Sequence, residues 1–483
     1  MGEQPMQTSD TTRPAGAPAG PTWTRRRLAG VTAAVAAVGL AVSGTAAALP
    51  SGTAPATALG SDGRPADTTL PTGGLSVTGE TSPIHDPALV VEGDTWHVFS
   101  TGLVNRENGG TVQHWISRDA GVSWEYVGTI WPEIPTWIDE RIPGLDNLWA
   151  PEVHEDDGTY YLYYSASTFG SSTSLTALAT ATTLDPEDPD YGWTDQGEVV
   201  SSPVVGLPDG KTFNAIDAGI VEDADGTHWM AIGSYWYGIW LVELDWPSGK
   251  PVENWQESAV NLADRFVPGN PIEAPYIYEH DGWYYLFVSF DACCAGGDST
   301  YKVAVGRSRD VTGPYLDQDG RDMFGGGGTV ILEEHGAMVG PGGQSVADGV
   351  LAFHYYDALN EEVPYFPTLG LQRLAWVDGW PVVDQTVEPA AVVGQPQDTQ
   401  PGRAAVLEAE VTGTPAPVAR WQVSDDGATW TDVTVERVHD GTTTLRVPTR
   451  DVVGDRSWRV VVENPHGTAT SEPVTPWGPP GRS

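Results

Sequence analysis

The chain is predicted to be all-β, a five-bladed β-propeller followed by a small β-sandwich. Three observations carry this reading. A strand-pair phrase recurs at His85–Ser100, Trp149–Ser165, Ile216–Ser234, Glu273–Ser289 and Ser345–Tyr356. Each copy joins an apolar run to an aromatic-rich run across a tight Gly/Asp turn, the pattern of a β-hairpin. The copies stand roughly 55 to 70 residues apart, a period that suits small antiparallel sheets repeated around an axis. Third, strand-like alternation runs throughout, and no helix of convincing length appears. The heads of the repeats should then meet at the axis, and three of them carry a carboxylate: Asp86, Asp217 and Glu273.

In chain order, Arg25–Arg27 precede an apolar stretch from Leu28 to Val42, and Ala46–Ala48 offer small residues for cleavage. Residues 1–48 therefore read as an export signal, with Thr24–Leu28 resembling a twin-arginine motif, and the expected location is secreted and extracellular. The apolar stretch is short and rich in Ala and Gly, so no membrane span is expected once the signal is removed. Residues 49–79, rich in Pro, Thr, Ala and Gly, read as a flexible linker. The propeller is assigned to residues 80–387. Beyond it, residues 388–483 hold short strands at Arg420–Val433, Thr443–Asp451 and Ser457–Ser471 that resemble a bacterial immunoglobulin-like domain, with Trp421 as candidate core residue. A spacer, or contact with cell wall or polysaccharide, is the role expected of it.

Composition narrows the partners. The net charge of −41, with only Lys211, Lys250 and Lys302 as lysines, disfavours nucleic acid, anionic membranes and strongly anionic polymers. An uncharged polymer fits. Twenty Trp and 17 Tyr against 9 Phe suit both β-sheet faces and stacking on sugars. The two cysteines, Cys293 and Cys294, are adjacent, so they cannot staple distant segments, and no zinc-type spacing exists. They read as local wall structure.

Glycoside hydrolysis needs one carboxylic acid to protonate the leaving oxygen and one carboxylate to activate water or attack carbon. The acid keeps its proton near neutral pH only if burial or a neighbouring charge raises its pKa. Three carboxylates around one funnel can supply acid, base and tuning charge. Alone, Asp86-Pro87 is an ordinary turn pair; its recurrence with Asp217 and Glu273 at repeat heads is what points to chemistry.

From Ile84 to Val383 the chain resembles glycoside hydrolase family 43, and most closely its endo-α-1,5-L-arabinanases. The matching stretches are Ile84–Pro87, Asp146–Pro151, Ser167–Ser171, Asn214–Asp217, Ile272–Tyr276, Ser289–Cys294, Gly306–Ser308, Gly313–Tyr315 and His354–Asp357. The resemblance implies inverting cleavage of internal α-1,5-arabinofuranosidic bonds of arabinan, with Asp86 as general base, Glu273 as general acid and Asp217 as pKa modulator. It also implies that Trp149 and Phe169 line the cleft. Asn147 and Ser234 are expected to bind sugar hydroxyls. His354 is expected to help hold one hydrated cation, calcium or similar, and no organic cofactor is implied. One departure stands out: such enzymes often carry a His-Asn pair where this chain has Gly343-Gln344. An exo-acting arabinanase or α-L-arabinofuranosidase, and a non-catalytic carbohydrate-binding surface protein, remain alternatives.

Two other stretches are set aside. Asp317–Asp322 mimics a calcium loop but lacks the glutamate at the twelfth position, where Gly328 falls. Gly325–Gly328 lacks the Lys-Ser/Thr of a phosphate loop.

Overall fold

The computed structural model describes residues 73–360, 366–399, 405–438, 440–447 and 456–476. The expected export signal and most of the expected linker lie outside the described residues. Five antiparallel sheets of four or five strands follow one another along the chain. Their innermost strands are Ala88–Glu92, Trp149–Asp156, Gly219–Glu222, Ile272–His280 and Met338–Ala347. Each packs against the innermost strand of the next sheet, and the fifth packs against the first, which closes a ring of five blades.

The pleat explains how the ring is glued. Alternate residues of a strand point to opposite faces, so each blade offers one apolar face forwards and one backwards. In the second blade, Leu162 and Tyr164 pack into the core shared with the first blade, while Tyr161 and Tyr163 pack into the core shared with the third. Further cores lie between blades three and four, four and five, and five and one.

The fifth blade corrects the expected boundaries. Its outer strand is not supplied by Ala375–Val377 and Trp380–Val382, which form a separate two-stranded hairpin. It is Gly73–Leu75, paired antiparallel with Leu371–Arg373. Thr78–Gly79 then runs parallel to Ser123–Trp124 on the outer edge of the first blade. The last seven residues of the stretch expected to be linker are thus the latch of the ring. Extended backbone hydrogen bonds to a ready sheet edge need no apolar run, so composition misled the reading.

Residues 388–476 form two further sheets. One joins Glu388–Asp398, Ala405–Thr414 and Thr442–Val447; the other joins Thr431–Arg437, Val418–Ser424, Ser457–Asn464 and Gly467–Thr470. They share one apolar core around Trp421, whose indole Nε1–H donates to Thr443 Oγ1 at 2.8 Å. This unit sits on the latch. Leu75 bridges Ala416, Thr78 Oγ1 donates to Glu463, and buried Arg437 donates to the carbonyls of Ser76 (3.2 Å) and Gly121 (3.1 Å).

Candidate active site

At the same point of every blade, the chain turns into its innermost strand through a left-handed residue. These are Asp86, Ala150, Asp217, Ala274 and Gly343, with φ between 40° and 61°. Such a backbone is uncommon for any residue but glycine, and here side chains of the preceding blade hold it. The N–H of Asp86 donates to His354 Nδ1 (3.1 Å), that of Ala150 to Thr101 Oγ1 (3.0 Å), that of Asp217 to Ser165 Oγ (3.1 Å) and that of Gly343 to Ser289 Oγ (2.9 Å). The corresponding position in the third blade is Gly233, which has no side chain to offer. There the carboxylate of Asp217 itself takes the N–H of Ala274, at 3.1 Å.

All five turns line one pocket on the axis. Asp86 and Asp217 occupy the same turn position in their blades, and Glu273 stands one residue before it in the fourth. The three acids predicted from sequence are brought close enough that Glu273 and Asp86 both raise the pKa of Asp217, and Asp86 raises that of Glu273.

Their environments separate them. Burial pushes the Asp86 carboxyl up, but His85, whose ring Nδ1–H donates to Oδ2 at 2.7 Å, together with His354 and Thr101, outweighs it and holds the pKa at about 2. Thr101 Oγ1 also donates to Oδ2, at 2.7 Å. Asp86 is therefore a carboxylate at any working pH. Glu273 is shifted the other way. Burial raises its pKa and the charge of Asp86 adds to this, against hydrogen bonds from the hydroxyls of Tyr301 and Ser234 and the charge of His85. Asp217 is raised well above the usual carboxylate range by burial, then by Glu273 and Asp86, with the Ala274 N–H opposing. A group held ionised beside groups held near protonation is the arrangement that acid–base work requires.

Two residues expected to bind sugar face inward instead. Ser234 is buried and its hydroxyl donates to Glu273 Oε2 at 2.7 Å, so it serves the acid. Asn147 is also buried: its amide donates to Gly102 O at 2.6 Å and its Oδ1 accepts the indole N–H of Trp149 at 2.8 Å. Both polar ends are used, and Asn147 sets the orientation of Trp149. Phe169 is 83% exposed on the connection between the second and third strands of its blade, which removes wall packing as an explanation for it.

His354 is fully buried on its strand and stacks on His85 with ring centroids 3.7 Å apart. Burial drives its pKa well below the ordinary histidine value, with His85 adding to that, so the ring is neutral. Its Nε2 is buried with no hydrogen-bond partner among the described residues. Cys293 and Cys294 form a disulfide beside His85, and the Cys294 N–H donates to the Tyr356 hydroxyl, which meets His85 Nε2 at 3.1 Å. Gln344, at the departure from the arabinanase pattern, ties two blades by accepting from Ser289 (2.7 Å) and donating to Ala274 O (2.6 Å).

Sequence reasoning did not single out Tyr301 or Thr101. Tyr301 leads into a strand like many others and nothing local marks it; its hydroxyl meets Glu273 only because blade four folds back on itself.

The sequence profile of glycosyl hydrolases family 43 matches residues 81–381, the whole ring apart from its latch. The chain belongs to glycosyl hydrolase family 43. Among family relatives, it is 40% identical over 315 residues to an extracellular exo-α-(1→5)-L-arabinofuranosidase of Cellvibrio japonicus, covering 62% of this chain and 86% of the relative. It is equally 40% identical over 300 residues to an extracellular endo-α-(1→5)-L-arabinanase of Bacillus subtilis, covering 62% and 87%. Of the solved family structures, the endo-arabinanase of Bacillus licheniformis aligns with a TM-score of 0.57 at 39% identity, over 64% of this chain and 99% of that one. An exo-1,5-α-L-arabinanase from a bovine ruminal metagenomic library aligns with a TM-score of 0.55 at 37% identity, over 65% and 99%. The ring is thus the family's five-bladed propeller, and residues 388–476 lie beyond the family match.

Proposed function

We propose that this family 43 hydrolase is secreted and cleaves internal α-1,5-L-arabinofuranosidic bonds of arabinan with inversion. The observation that carries the proposal is the opposed tuning of Asp86, which lines the axial pocket, and Glu273, which directly precedes Ala274 of that pocket. Ionised Asp86 takes a proton from water as the water oxygen bonds to the anomeric carbon. Glu273 gives its proton to the glycosidic oxygen as the carbon–oxygen bond breaks, and solvent exchange restores both groups. Asp217 is the proposed modulator of the acid, and its bond to the Ala274 N–H fixes the backbone that carries Glu273. Trp149, oriented by Asn147, and exposed Phe169 are suited to stack on sugar rings. The extracellular relatives, and their action on α-1,5-linked arabinose, support location and substrate.

The buried, partnerless Nε2 of His354 fits one hydrated cation, calcium or similar. A single imidazole nitrogen would leave the remaining ligands to water, and direct binding through Nε2 would move the ring proton to Nδ1 and break the bond that Nδ1 accepts from the Asp86 N–H at 3.1 Å. Such an ion would supply positive charge near the base, and elemental analysis of dialysed protein checks its presence. The C-terminal unit is proposed to be immunoglobulin-like, a spacer that allows contact with cell wall or polysaccharide.

A product time course on linear arabinan, run beside Asp86→Asn and Glu273→Gln, tests the reading. Oligomers of intermediate length should appear first, with the anomer inverted by proton NMR. Each variant should lose about 10²–10⁴-fold in rate, the usual size of general acid–base catalysis. Arabinose as sole early product would assign the exo mode of the Cellvibrio relative, and full activity in both variants would refute Asp86 as base and Glu273 as acid.

A further inference from the structure

Beside Glu273 lie two loops whose aromatic residues the mechanism does not use. The first is the turn between His228–Ile232 and Ile239–Asp245 in blade three; the second is the connection from Asp264 to Pro271 that leads into the acid. In the first, Ser234 holds Glu273, and the N–H of Tyr235 donates to the carbonyl of Ile272 at 2.8 Å, directly before the acid. The next residues turn outward: Trp236 is 41% exposed and Tyr237 43%. In the second, Phe266 is 62% exposed, and Phe324 meets it edge-on at 5.3 Å. Lys211 stands over the Phe324 ring at 5.3 Å.

These rings are held out at a cost. Tyr235, Trp236 and Phe266 all have left-handed backbones, with φ of 53°, 35° and 52°. For bulky residues this conformation is a true outlier, and it persists only where surroundings impose it. Here Asp264 Oδ1 accepts the Phe266 N–H at 2.8 Å, and buried Asn270 donates to Trp236 O at 3.0 Å and accepts the Arg265 N–H at 2.9 Å, so one side chain joins the two loops. Arg265 is pinned in turn by Asp291 at 2.7 Å. Packing alone does not call for strained backbone that exposes aromatic rings.

We propose that Trp236, Tyr237 and Phe266 form a stacking platform for the departing side of the polymer, extending the site beyond the acid. The proposal rests on the polysaccharide reading above. The occupant is an uncharged sugar chain, for three reasons. The platform is continuous with the acid that protonates the leaving group. Its rings are rigid and amphipathic, the kind that stack on sugars. The strongly acidic protein suits a neutral polymer better than a charged one.

The test is Trp236→Ala with Phe266→Ala in the full chain, with Trp236→Phe as the ring-preserving control and the thermal midpoint as a check on folding. The KM for linear arabinan should rise by roughly tenfold more than the KM for arabinobiose, a difference of about 1.4 kcal/mol. The kcat should change far less, and Trp236→Phe should recover most of the loss. Retardation of the protein by arabinan in affinity gels should fall in parallel. Equal effects on polymer and dimer, or unchanged retardation, would overturn the platform. Wild-type protein that binds arabinan through these rings yet leaves it uncut would instead overturn the substrate reading alone.

Discussion

Tyr301→Phe isolates one interaction on the proposed acid. The Tyr301 hydroxyl is buried and donates to Glu273 Oε1, while Ser234 donates to Oε2 at 2.7 Å. Both bonds favour the ionised acid and so oppose the upward shift that burial and Asp86 produce. A hydrogen bond to a charged group is worth about 1.5–3 kcal/mol. At 1.36 kcal/mol per pKa unit, losing it should raise the Glu273 pKa by about 1–2 units. An acid works only while protonated, so activity is lost as pH rises past its pKa. The basic limb of the kcat/KM profile should therefore move to higher pH by that amount, and the acidic limb should stay. Initial rates on linear arabinan across the alkaline range, at constant ionic strength, measure it. A basic limb that stays in place or moves to lower pH would refute the assignment of Glu273 as acid or of Tyr301 as its ligand.

Two further outcomes follow from packing. A Cβ at Gly343 would lie 2.4 Å from Asp86 Oδ1 and 2.8 Å from His354 Nδ1, so Gly343→Ala should displace the base and cost about 10²-fold in kcat; circular dichroism should show the fold retained. Arg437→Met removes hydrogen bonds from a buried guanidinium to two latch-side carbonyls and should destabilise the protein by about 2 kcal/mol. Denaturant unfolding measures that loss, and limited proteolysis should show earlier cleavage near residues 73–79.

Much of this was legible in the residues, and the exceptions share a cause. Asp86, Asp217 and Glu273 stood out because an acid at a repeated position contrasts with its counterparts. The turn that positions them did not, because Ala150 and Ala274 carry no mark of a left-handed backbone; only the capping side chains one blade away make it tenable. Ser234 and Asn147 were read as facing sugar, yet burial turned each toward a neighbour that needed a partner. Trp421 was legible as a core residue because a large apolar ring in a short strand has few other places to go. The latch was missed because a three-residue strand borrows its order from the edge it joins.

The latch also bears on the order in which the molecule can be completed. Residues 73–79 are made early, but the side chain that clamps them, Arg437, follows 361 residues after Ser76. Contacts across such separations are slow to form because the intervening chain must be ordered first. The ring therefore gains this clamp only after residue 437 has been made, and the C-terminal unit acts as a late fastener of the catalytic domain as well as its neighbour.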